Sequence, residues 1–153
     1  MTPYKNRLAL CIIAFMLLFA ASTQAAQYLS VAKDGVNVRR GPSTNDEVVM
    51  ELFAGWPLEV TRKKGDWYEV VDYEKDKGWI YKTLVKSNNS VIVNVKKTGN
   101  MRSAPGKNSP VIAEVERGVV LEKLGVNKNG WVKVKHSAGL VGYIYKTLLW
   151  PQS

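Results

Sequence analysis

His136 is the only histidine in the chain and Cys11 the only cysteine, so the groups most used for nucleophilic and metal chemistry are nearly absent. A Ser–His or Cys–His pair needs a base and a third group to orient it. A zinc site needs three or four convergent ligands. His136 stands alone at the end of a strand-like run, and its repeat-equivalent position holds Asp72. Hydrolysis by a carboxylate pair needs only two acids at the right separation. The C-terminal half supplies Glu114, Glu116 and Glu122, two of them on short strand-like stretches with nothing to suggest a cleft between them. The expectation is a protein that is not an enzyme, with no catalytic residue, no cofactor and no metal.

The chemistry that remains is stacking and charge. Trp67-Tyr68-Glu69-Val70 and Trp131-Val132-Lys133-Val134 alternate with period two, as do Gly78-Trp79-Ile80-Tyr81 and Gly142-Tyr143-Ile144-Tyr145. With the aliphatic residues turned inward, Trp67, Trp79 and Tyr81 in one half, and Trp131, Tyr143 and Tyr145 in the other, turn outward. A rigid ring beside polar groups is a platform for sugars, peptide backbones or cations. The same rings could instead cap a small core, with Arg39 and Arg102 stacked on Trp67 and Trp131. Phe53 and Trp56 flank a turn, where they could join the two halves.

Charge is unevenly shared. Residues 27–89 hold ten basic and ten acidic side chains, whereas residues 90–153 hold ten basic and three acidic, a net of +7. At equivalent positions Lys133 replaces Glu69 and Lys135 replaces Val71, on the face that carries Trp131. Such an excess concentrates anions and speeds their encounter.

Those residues sit in an internal repeat. Val36-Asn37-Val38-Arg39-Arg40-Gly41-Pro42 matches Gly99-Asn100-Met101-Arg102-Ser103-Ala104-Pro105, and Gly55 matches Gly118. After one extra residue near Asn127, Trp67 matches Trp131, and Ile80-Tyr81-Lys82-Thr83-Leu84 matches Ile144-Tyr145-Lys146-Thr147-Leu148 identically. Matching of this density marks two copies of one unit. Each unit shows short alternating runs broken by Gly, Pro and Asn turns, which predicts five or six strands curled closed to protect their edges. A single helical turn is expected at Lys82–Leu84 and again at Lys146–Leu148.

Asn37-Val38-Arg39-x-Gly41-Pro42-Ser43, then Gly55, Trp67-Tyr68-x-Val70 and Gly78-Trp79-Ile80, resembles the pattern of the bacterial SH3-type (SH3b) domain. The second copy is similar but departs from it, with Ser103-Ala104-Pro105-Gly106 for Arg-Gly-Pro-Ser and Tyr143 for the Trp of the Gly-Trp pair. The resemblance implies an all-β fold of two tandem small SH3-like antiparallel β-barrels. It also implies a module that targets proteins to cell wall or binds peptides.

Ahead of the repeat, Lys5 and Arg7 precede an uncharged apolar run from Leu8 to Ala21, and Thr23 and Ala25 are small. That run is shorter than the ~20 residues needed to span a bilayer and reads as a signal peptide. The expected organisation is a signal peptide at 1–25, a barrel at 27–87, a linker at 88–90 and a second barrel at 91–150. The mature chain is then cysteine-free, without a transmembrane segment, in the periplasm or at the cell surface, where nucleic acid is not an expected partner. The functional expectation is a non-catalytic module that attaches to peptidoglycan or another anionic envelope polymer. Trp131, Tyr143, Tyr145, Lys133, Lys135, Arg102 and Lys146 would make the main contact, with Trp67, Trp79 and Tyr81 extending it. The alternative is an adaptor or accessory subunit for an envelope enzyme or secretion complex, which would hold a protein partner.

Overall fold

Alternating aliphatic residues at Val36 and Val38, at Val70 and Ile80, and at Val132, Val134 and Ile144 are each almost wholly buried, and the strands that carry them curl around them. The computed structural model describes residues 25–127 and 129–152; all but the last residue of the expected signal peptide lies outside them. The first sheet comprises β1 (Gln27–Val31), β2 (Val36–Arg39), β3 (Val48–Leu52), β4 (Pro57–Lys64), β5 (Trp67–Val71), β6 (Lys77–Tyr81) and β7 (Val85–Ser87). The second comprises β8 (Ser90–Val93), β9 (Thr98–Arg102), β10 (Val111–Glu116), β11 (Val120–Val126), β12 (Trp131–Lys135), β13 (Val141–Tyr145) and β14 (Leu149–Trp150). All pairings are antiparallel. The strand orders, β3-β2-β6-β5-β4-β1-β7 and β10-β9-β13-β12-β11-β8-β14, are the same topology drawn twice.

The expected five or six strands per barrel become seven. The extra strand is the short one that follows each 3-10 turn, at Lys82–Leu84 and Lys146–Leu148. It covers the free edge of β1 or β8, which would otherwise present unpaired backbone groups. Two or three residues of sequence carry too little alternation to announce such a strand. No described helix is long and apolar enough to cross a membrane.

Each barrel has its own core. Val31, Val38, Leu58, Val70 and Ile80 form the first, and Val91, Met101, Leu121, Val134 and Ile144 the second. A seam joins them. The hydroxyls of Ser30 and Ser90 lie 2.9 Å apart, and that of Ser30 donates to Asn88 Oδ1 at 2.6 Å. The Ser90 hydroxyl also contacts the Gly55 carbonyl. Tyr73 lies between Trp56, whose ring centroid is 5.8 Å away, and the Arg117 guanidinium, 5.2 Å from the Tyr73 ring. Arg117 reaches Glu74 at 3.3 Å, and Tyr28 meets Trp150 edge to face at 5.5 Å. Asn88 and Ser90 are thus woven into the seam by their side chains.

Candidate functional site

One groove is built twice, because the same residue types stand at the same strand positions in both barrels. Trp67 on β5 faces Tyr81 on β6, and Trp131 on β12 faces Tyr145 on β13. The two ring pairs have the same edge-to-face separation, 5.4 Å between centroids. The first groove encloses about 340 Å³ and is lined by Lys33, Asn37, Arg39, Thr44, Trp67 and Tyr81 among others. The second encloses about 470 Å³ and is lined by Asn100, Arg102, Lys107, Trp131, Tyr145 and Leu148 among others. Lys107 stands where the first copy has Thr44, which adds a cation to the wall.

Gly78 and Gly142 let neighbouring strands of each barrel pack closely. A Cβ on either would lie 2.9 Å from the carbonyl oxygen of Arg39 or Arg102, so β6 and β13 can approach β2 and β9 only without a side chain there. The two arginines do not stack on the tryptophans. Arg39 Nη1 donates to the Asp46 carbonyl at 2.7 Å, and Arg102 Nη1 to the Ser109 carbonyl at 2.6 Å, so each pins the loop that follows its strand. A backbone carbonyl at that range satisfies a guanidinium N–H better than a ring face does.

The structure gathers most of the sequence-named residues of the second barrel on one face of β12 and β13. Trp131 pairs with Tyr145, Lys133 with Tyr143 and Lys135 with Val141, while Tyr143 also neighbours Arg102 on β9. Lys135 stands at the far end, in a separate cleft of about 760 Å³ between the barrels, with Glu122, His136 and Phe53. Lys146 opens the 3-10 turn next to the Gly130 corner, its N–H donating to the Gly130 carbonyl at 2.9 Å. His136 takes a turn role. Its Nδ1 accepts from the Ala138 N–H at 3.1 Å, as Asp72 Oδ1 accepts from the Glu74 N–H at 2.8 Å in the first barrel.

Two rings expected to be open to water are not. Trp79 is 6% exposed and Trp131 is 8% exposed, although both lie on the sheet face opposite the core. The Arg62 guanidinium sits 5.1 Å above the Trp79 ring, and Glu69 holds that guanidinium at 3.0 Å. Trp131 packs edge to face against Tyr145 where it lines the groove. In so small a barrel, long side chains and loops cover much of the outer face as well. Trp67, Tyr81, Tyr143 and Tyr145 stay partly exposed.

Ion pairs separate the two copies further. Among the described residues, Arg40–Glu47, Arg62–Glu69 and Lys82–Asp66 all lie in the first barrel, Arg117–Glu74 crosses the seam, and the second barrel has none of its own. At the rim of the first groove, Asp66 accepts from the Tyr81 hydroxyl at 3.0 Å and pairs with Lys82 Nζ at 2.8 Å. Hydrogen bonding from Lys82, then from Tyr81, holds the Asp66 carboxyl below its ordinary range; the same bond raises the Tyr81 phenol. Asp66 and Arg62 were not singled out from the sequence. The signal was available: where the first copy has them, the second has glycine.

The family model described as "Bacterial SH3 domain" matches residues 32–87 and 95–151. A curated relative, "Putative N-acetylmuramoyl-L-alanine amidase YrvJ" of Bacillus subtilis (strain 168), is 27% identical over 92% of this chain. The chain spans 30% of that relative's length. Among solved structures, NlpC1 from Trichomonas vaginalis aligns at 17% identity and a TM-score of 0.36, over 86% of this chain and 48% of that one. An NlpC/P60 family protein from Bacillus cereus aligns at 15% identity and a TM-score of 0.39, over 80% and 55%. The curated relative corrects the expectation of a protein outside enzymology, since it is named as an amidase. A small set of titratable groups in two barrels was no ground for excluding an enzyme.

Proposed function

Because the chain belongs to the bacterial SH3 domain family, we propose that its two barrels bind peptidoglycan in the envelope and serve the hydrolysis of its amide bonds. The observation that carries this reading is the groove built twice, an edge-to-face Trp–Tyr pair beside Asn and Arg, in a chain whose curated relative is named as an N-acetylmuramoyl-L-alanine amidase. A ring pair supplies an apolar, angled wall, and the asparagine and neighbouring polar groups supply orientation, as a sugar or peptide ligand requires. Tyr143 and Lys133 extend the surface of the second barrel beyond its groove, with Lys135 and Lys146 adding charge at its margins.

The test is co-sedimentation of the full chain with purified sacculi. Binding at low salt that falls steeply toward moderate salt is the expected result, since exposed cations attract anions over about 10 Å at 0.1 M salt. Lys133→Glu combined with Lys135→Glu should weaken pelleting about tenfold without lowering the melting temperature, both side chains being exposed. A chain that stays in the supernatant at low salt overturns the reading and leaves the protein-adaptor alternative in its place.

A further inference from the structure

The two grooves share a rim whose parts superpose by register. The Lys82 N–H donates to the Asp66 carbonyl and the Lys146 N–H to the Gly130 carbonyl, each at 2.9 Å. The ring pairs beside them have equal separations, and both 3-10 turns begin Lys-Thr-Leu. Tyr81 and Lys82 therefore correspond in position, as well as in type, to Tyr145 and Lys146.

What differs is the acid. In the first barrel one carboxylate bridges the phenol and the ammonium, Oδ2 to Tyr81 and Oδ1 to Lys82. In the second, that position is Gly130, which has φ +77° and no side chain. The Tyr145 ring and the Lys146 stem lie only 3.2 and 3.3 Å from where a Cβ would be. Among the described residues, the Tyr145 hydroxyl and Lys146 Nζ have no hydrogen-bond or ion-pair partner. Lys107 adds a further cation to the same groove.

We propose that a carboxylate of the bound ligand, a free carboxyl of a peptidoglycan stem peptide, takes in the second groove the place that Asp66 fills in the first. The proposal rests on the peptidoglycan reading and goes beyond it by assigning the ligand's charged group to the Tyr145 hydroxyl and Lys146 ammonium. A phenol and an ammonium converging on one carboxylate form two charge-assisted hydrogen bonds, among the stronger polar contacts a protein surface offers. Beside the first groove the equivalent phenol and ammonium are already satisfied by Asp66. The pair thus holds one anion-accepting groove and one that is already satisfied.

The probe is a soluble disaccharide-tripeptide muropeptide with free carboxyls, titrated calorimetrically into the full chain beside its carboxyl-amidated form. One site per chain is expected, with the amidated form bound at least tenfold more weakly. Tyr145→Phe and Lys146→Ala should each weaken the free acid about tenfold and leave the amidated form unaffected, because each removes one bond to the charged group. Neither change touches a buried core residue, and unchanged melting temperatures verify the fold. Asp66→Gly should raise the stoichiometry from one site to two. Equal binding of acid and amide, or full binding by both variants, overturns the carboxylate assignment even where sacculi still sediment with the chain. Binding of poly(glycerol phosphate) in place of the muropeptide overturns it too. Loss of sacculus binding by the wild-type chain removes the underlying reading and this assignment together.

Discussion

The two barrels share topology, core pattern and ring pair, yet the first has tied down its polar surface and the second has left it open. Substitutions at register-equivalent positions account for the lost ion pairs. Arg62 opposite Glu69 becomes Gly125 opposite Lys133, Asp66 becomes Gly130, and Arg40 with Glu47 becomes Ser103 with Pro110. Arg62 covers Trp79 in the first copy, whereas a Cβ on Gly125 would meet nothing within 4 Å, so no side chain reaches over Tyr143 from that corner. Surface ion pairs of this kind contribute little to stability, about 0–1 kcal/mol each. Their loss therefore costs the second barrel little and frees cations and a phenol for contact with something else. The two copies thus differ in surface electrostatics around cores of the same pattern.

That comparison is most exposed to failure in the cores. Ile80 and Ile144 are both fully buried at matching positions, so Ile80→Ala and Ile144→Ala should each cost about 2–5 kcal/mol in chemical denaturation. A large inequality between them would show that the two cores are not equivalent. Next in size is the seam. Tyr73→Ala removes the edge contact with Trp56 and the Arg117 cation–π contact, together about 1–2 kcal/mol. It should also split a single unfolding transition into two, which differential scanning calorimetry would resolve; a single sharp transition at the wild-type temperature would argue that the seam does not couple the barrels.

Arg62→Gly makes the first barrel resemble the second. It should lower stability by less than about 1 kcal/mol while increasing acrylamide quenching of the fluorescence of Trp79, which the guanidinium now covers. Unchanged quenching would mean that burial of Trp79 does not depend on this roof. The smallest effect is a titration. Asp66 has its carboxyl held low in the folded chain, so the stability it adds is present above its unfolded pKa and is lost as pH falls through the folded pKa. Tyr81→Phe should move the Asp66 carboxyl signal in nuclear magnetic resonance back toward, but not fully to, the ordinary carboxylate range, since Lys82 remains. A titration identical to wild type would sink the Tyr81–Asp66 bond.

How much of this could be read from residues alone follows from the range of each interaction. Period-two runs such as Trp131-Val132-Lys133-Val134 report which side of a strand is inward, because alternation is a local backbone property. Alternation gave the shared outward sense of Trp131 with Lys133 and of Tyr143 with Tyr145, while the repeat was legible in matched motifs such as Ile-Tyr-Lys-Thr-Leu. Exposure was not. Trp79 and Trp131 point away from the core but are covered by Arg62 and by Tyr145, partners that only strand register brings alongside. Lys135 shares a face with Trp131 but lies at the opposite end of the strand, beside the seam.

From the order of its residues alone, this protein's duplication, its β-rich barrels and the inward or outward sense of many strand residues were determined: the first is a direct match of residue types, and the others depend on neighbours a few positions apart. Tertiary structure decided which outward groups meet water, which cations are already paired, and which of two near-identical grooves is left with an unsatisfied phenol and ammonium. Those outcomes depend on contacts across a turn or a seam, such as Asp66 with Lys82, 16 residues apart, and no local pattern encodes whether such a contact closes.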